Sequence, residues 1–189
     1  MSTDAKIFLT PEQYLEIEEQ APYKSEYYNG EMSALSGANH AHNLLVSNLV
    51  RELSQQLRHG PCEVYPSDMR LRITATGLYT YPDVAVVCGS PEFLAGKETT
   101  LLNPKVVVEV LSPSTEAYDR GRKFEHYRTL DSLDTYLLAA SDRVSVHLYT
   151  RGPGGQWSLI IADRREDTPD LPTIGCRLAL SDIYEKVLS

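Results

Sequence analysis

Two apolar runs constrain this chain more than any other feature: Val84-Ala-Val-Val, and Val106-Val-Val-Glu-Val-Leu ending at Leu111. Neither alternates apolar with polar residues as a half-exposed strand does, so both predict interior strands covered on both faces. The first extends from Asp83 to Cys88 and the second from Lys105 to Leu111. Five further segments supply their neighbours: Cys62 to Pro66, Met69 to Thr74, Thr135 to Ala140, Val144 to Thr150 and Trp157 to Ile161. Gly152-Pro-Gly-Gly155 reads as the hairpin loop between the last two. A sheet with buried central strands needs helices on both sides.

The helical segments are legible from their ends and their periods. Thr10-Pro11-Glu12 opens a helix running to about Glu19, because Thr caps well, Pro suits the first turn and an acid favours its positive end. Glu26-Tyr-Tyr, Asn29-Gly30 and Glu31-Met32 predict a hairpin, the Asn-Gly pair accepting the positive φ angles of a type I′ turn. Val46, Leu49, Val50, Leu53 and Leu57 form the apolar stripe of a helix from about His42 to His59. A further helix is expected from about Arg120 to Leu130 with Asp119 as its N-cap. On it Lys123, Tyr127 and Leu130 share the face turned toward the sheet.

The 189 residues suit one domain spanning 1–189, and no repeat or linker divides them. A membrane-crossing helix needs about 20 consecutive apolar residues, and no run approaches that. Met1 to Ile7 lacks a basic stretch followed by an apolar core, so a cytoplasmic location is expected. Cys62, Cys88 and Cys176 are odd in number and far apart, which predicts reduced, structural thiols rather than a disulfide framework or a zinc site. A net charge of −8 opposes bulk binding to phosphates. It leaves room for a locally basic groove where carboxylates hold a divalent cation.

Glu109 carries the most information, since it interrupts a run of Val and Leu where an isolated carboxylate is costly to bury. Asp83, after Pro82, heads the other buried strand. Two carboxylates on neighbouring strands suit Mg²⁺ or Mn²⁺, which take oxygen ligands and often only one or two carboxylates plus water. Lys123, flanked by Arg120, Arg122 and Arg128, would bring positive charge to a phosphodiester. Plainer roles stay open at this point: Glu109 satisfied by an Arg, an amide or water, Asp83 a turn residue, Lys123 extending its ammonium to solvent, the arginines a solvated face.

Tyr81-Pro82-Asp83-Val84, then Val107-Val-Glu-Val-Leu-Ser-Pro-Ser-Thr115, then Asp119, Lys123 and Tyr127 resemble the Uma-type restriction-endonuclease family of the PD-(D/E)xK nuclease superfamily. The likeness runs from about Thr10 to Tyr184. It implies an α/β (α+β) restriction-endonuclease-like core, a central mixed β-sheet flanked by helices on both faces. It also implies Asp83 and Glu109 as metal ligands, Lys123 as the catalytic cation and Glu26 as an early acidic position that could add a ligand or hold a water. In the superfamily pattern the lysine lies two residues after the acid; Leu111 occupies that place here, so the role passes to Lys123. His40, His42 and Asp68 are left without a role, and a cap or surface position suits the histidines.

The expected function is therefore a Mg²⁺- or Mn²⁺-dependent endonuclease that hydrolyses DNA phosphodiester bonds through a metal-activated water, acting as a homodimer. The alternative is a non-catalytic nucleic-acid-binding or regulatory protein that retains the nuclease fold. No phosphate loop, dinucleotide glycine fingerprint, Gly-x-Ser-x-Gly elbow or His-Glu-x-x-His motif points to another enzyme class.

Overall fold

A computed structural model describes residues 8–188. The leading Met1 to Ile7, where no secretory signature was read, lies outside the described residues. Helix α1 (Pro11–Gln20) begins as its sequence requires: Gln13 N–H donates to Thr10 Oγ1 (3.3 Å) and Thr10 N–H donates back to Gln13 Oε1 (2.8 Å). Strands β1 (Ser25–Tyr28) and β2 (Glu31–Ala34) meet at Asn29 and Gly30, both left-handed with φ 49° and 84°. Helix α2 (His40–Leu57) is capped by the Asn39 side chain, which accepts from His42 N–H. Its inward line is Leu45, Leu49, Leu53 and Leu57, whereas Val46 and Val50 flank that line and are only partly buried.

The central sheet has six strands in the order β12 (Trp157–Ala162), β11 (Val146–Arg151), β10 (Thr135–Ala140), β9 (Val106–Leu111), β6 (Val84–Cys88) and β3 (Cys62–Pro66). It is mixed: β9 and β10 run parallel and the other neighbours antiparallel. The two apolar runs thus lie side by side in its interior. On one face Val84, Val86, Val106, Val108 and Val110 pack against the leucines of α2 and against Ile183 of α5 (Leu180–Ile183). Each fully buried leucine there contributes roughly 1.5–3 kcal/mol.

The opposite face, with Ala85, Val87, Val107 and Leu111, is covered by two layers side by side. One is a helical run: α3 (Glu116–Tyr118), a π-helical turn (Asp119–Lys123) and α4 (Phe124–Tyr127), whose Tyr127 sits on the sheet with Leu130. The other is a second six-stranded sheet, ordered β2-β1-β5-β4-β8-β7, in which β4 is Arg70–Ile73, β5 Leu78–Thr80, β7 Phe93–Leu94 and β8 Lys97–Leu101. Its Leu71, Ile73, Leu78 and Leu101 enter the same core. Helices therefore flank the mixed sheet as expected, whereas Met69 to Thr74, expected as a strand of that sheet, supplies β4 of the second sheet instead, beside the expected β1–β2 hairpin. A small hairpin, β13 (Asp170–Leu171) with β14 (Cys176–Arg177), precedes α5.

Two expectations need correction. Asp119 is not a helix cap: it lies inside the helical run, its N–H bonded to Thr115 O (2.9 Å), because the run starts three residues earlier, at Glu116. Cys62 and Cys88 are joined in a disulfide, where reduced thiols were expected; 26 residues apart in sequence, they are direct partners in the β3–β6 ladder with Cα atoms 3.9 Å apart. Cys176 is free and buried. Among the described residues no helix is long and apolar enough to cross a membrane.

Candidate active site

Strand register assembles the site. Val84 opposes Val108 and Ala85 opposes Val107, so one further step sets Asp83 across from Glu109. Val110 N–H donates to Asp83 Oδ2 at 2.7 Å, tying the head of β6 to β9. His42, in the first turn of α2, approaches the same oxygen through Nε2 at 3.3 Å. Alternation along β9 sends Val106, Val108 and Val110 toward α2, and Glu109 with Val107 and Leu111 toward the helical run.

There Lys123 Nζ lies 2.8 Å from Glu109 Oε1, and Tyr127 O–H donates to the same oxygen at 2.6 Å. Lys123 is 5% exposed, so its ammonium does not reach solvent. It also lies 3.3 Å from Glu26 Oε1 and 3.6 Å from Asp119 Oδ1. Glu26 reaches in from β1, held by Tyr118 O–H on Oε2 (3.0 Å) and Thr80 O–H on Oε1. A π-helical turn is wider than an α-helical one and recurs at functional sites; here it holds Asp119 and Lys123 buried together.

Burial pushes the Glu109 carboxyl up to about 8, against the downward pull of Lys123, with Asp119 and Asp83 adding to the rise. Asp119 is raised for the same first reason. On Lys123 burial acts to lower the pKa, but Glu109, Glu26 and Asp119 outweigh it and hold the ammonium charged. Burial likewise opposes protonation of His42, and its bond to Asp83 overrides that, so its pKa is raised. Three carboxyl groups, those of Glu109, Glu26 and Asp119, thus surround one lysine, with Asp83 beside Glu109.

These residues open onto a cleft of roughly 510 Å³, whose lining also includes Ser36, Asn39, Ser112 and Ser114. The contacts named above engage Asp83 Oδ2 and Glu109 Oε1, and both residues line the cleft. Among the described residues no three His, Cys, Asp or Glu side chains converge as a ligand set. Two neighbouring carboxylates, an excess of acid and an open cleft fit a hard divalent cation that completes its shell with water, and do not fit a zinc-type cage.

The structure brings together Asp83, Glu109, Lys123 and Glu26. His42 joins them, whereas His40 is exposed and Asp68 pairs with Lys24 at the surface. Arg120 is engaged by Glu116 and His147, and Arg128 by Glu125, so neither lines the cleft. Asp119, Tyr118 and Thr80 were not singled out as site residues. The spacing of Asp119 to Lys123, one helical turn, was the available signal for the first; nothing local marks the other two.

The sequence profile of the Uma2 family, described as "Putative restriction endonuclease", matches residues 11–181, and the chain belongs to that family. An uncharacterized protein of Synechocystis sp. is 40% identical over 177 residues, covering 93% of this chain and 91% of that protein. A second from the same organism is 39% identical over 151 residues, covering 80% and 85%. The fold matches a crystal structure from Anabaena variabilis, of a protein described as "a putative nuclease belonging to DUF820". Its TM-score is 0.78 at 18% identity, over 95% of this chain and 99% of that one.

Proposed function

We propose that this protein is a Mg²⁺- or Mn²⁺-dependent endodeoxyribonuclease, with Asp83 and Glu109 holding the metal, Lys123 as the catalytic cation and Glu26 supporting it. The observation that carries this reading is the buried Lys123–Glu109 pair beside Asp83, at the wall of an open cleft. The family description and the nuclease named for the structural neighbour support the reaction class, and DNA as the substrate is part of this proposal.

A bound divalent cation would supply Lewis acidity toward the phosphate and toward water. The side chains do the positioning. Val110 N–H and His42 orient Asp83; Tyr127 and Lys123 orient Glu109; Tyr118 and Thr80 orient Glu26. Lys123 stays protonated, so in this reading it offers N–H donors to the charge that develops on a phosphate oxygen in the transition state. Cutting both strands of a duplex calls for two sites, hence a homodimer.

The net charge of −8 favours a second reading, a regulatory or binding protein on the same fold. Thermal unfolding with Mn²⁺ separates the two. A cation held by the folded state at 100 times its Kd adds about 2.7 kcal/mol of stability. The nuclease reading expects a rise in Tm with Mn²⁺ that Asp83→Ala abolishes; indifference of the wild type to Mn²⁺ favours the second reading.

A further inference from the structure

The central sheet ends on β12, and that edge is built like an interior strand. Leu159, Ile160 and Ile161 are 46%, 55% and 55% exposed. On β11 Leu148 is 1% exposed; its direct partner Ile160, one strand out, stands in water. Leu159 and Ile161 share the opposite face with Tyr149 and His147. Both faces of the edge are therefore apolar, and among the described residues no strand neighbours its outer backbone groups.

The other sheet edges are guarded in the usual ways. The far edge of the same sheet, β3, carries Glu63 and ends in Pro66; in the second sheet β2 begins with Glu31 and β7 has two residues. Strand β12 holds six residues with no charge, proline or glycine among them.

We propose that β12 is a dimerisation edge, pairing antiparallel with β12 of a second copy about a two-fold axis through Ile160 and joining the two central sheets into one. An antiparallel pair about such an axis is self-complementary, so identical edges suffice. Centring on Ile160 sets Ile160 against Ile160 of the partner subunit, and Leu159 against Ile161 of the partner subunit, so the three exposed apolar residues meet only one another. The same register places Trp157 opposite Asp163 of the partner subunit. Arg151 lies over Trp157 with its guanidinium 5.0 Å from the ring centre; it bonds to backbone carbonyls and has no carboxylate partner among the described residues. Asp163 is exposed at the other end of β12. Each Arg151 therefore comes to lie near an acid of the other copy, a complementarity that a parallel pairing lacks. The interface follows from the edge alone and is independent of the chemistry in the cleft.

Size-exclusion chromatography with light scattering on the full chain tests it. Wild type is expected at twice the mass of one chain, and Ile160→Lys at the monomer mass with an unchanged circular dichroism spectrum. Under mild oxidation Ile160→Cys is expected to form a covalent dimer on a non-reducing gel, and Ser158→Cys, opposite Ala162 of the partner subunit, is not. The cysteine pair decides the matter if the lysine variant fails to fold. A monomeric wild type at tens of micromolar, a dimer undiminished by Ile160→Lys, or Ser158→Cys linking more readily than Ile160→Cys would overturn the proposal.

Discussion

Lys123 Nζ and Glu109 Oε1 are 2.8 Å apart, with side chains 6% and 5% exposed, so each is the other's main protection against a lone charge in the core. Removing one partner of a buried pair costs about 3–5 kcal/mol, whereas removing both can be near neutral. Lys123→Met is therefore expected to lower stability by several kcal/mol in urea unfolding, and Glu109→Gln with Lys123→Met together by clearly less than the sum of the single changes. Additive losses would show that the two side chains do not act as a pair.

The same glutamate gives the metal-free protein a pH dependence. With its carboxyl raised to about 8, the folded chain binds the proton more tightly than the unfolded chain does. Its contribution to stability is full below the unfolded glutamate value and is lost as the pH rises through about 8, by at most about 1.4 kcal/mol per unit. With a chelator present, Tm should fall from about pH 5 to about pH 8, and Glu109→Gln should flatten that slope. A wild-type profile that matches the variant's would remove the claim that burial raises the Glu109 carboxyl in the folded chain.

The Cys62–Cys88 disulfide closes a loop of 26 residues between an edge strand and the strand that carries Asp83. Chain-entropy arguments set its contribution at up to about 3–4 kcal/mol. Dithiothreitol should lower Tm in the wild type and leave Cys62→Ser/Cys88→Ser unaffected. Thiol titration of the denatured, unreduced chain should find one reactive group, that of Cys176; three would contradict the pairing.

Much of this is legible in the sequence. The two valine-rich runs announce interior strands because only a covered strand tolerates apolar residues on both faces, and Glu109 stands out because a carboxylate is costly to bury in such a run. Asn29-Gly30 announced its turn through the φ angles it accepts. The second sheet stayed hidden because β5, β7 and β8 are short and Thr-rich or Gly-flanked, and gain their burial from tertiary contacts. The disulfide stayed hidden because sequence separation says nothing about cross-strand register. Asp119 was placed as a cap because its residue type favours caps, a local preference that the π-helical turn overrides.

The central claim is that Asp83, Glu109 and Lys123 form one metal-dependent nuclease site. Cleavage of supercoiled plasmid DNA in Mn²⁺ or Mg²⁺, comparing wild type with Asp83→Ala, Glu109→Ala and Lys123→Ala at matched purity and folded fraction, tests it most directly. The account expects metal-dependent nicking by the wild type, lost by at least a hundredfold in each variant, about 2.7 kcal/mol of transition-state stabilisation. Nicking that survives in the variants, or a folded, metal-loaded wild type that leaves the plasmid intact, would contradict it.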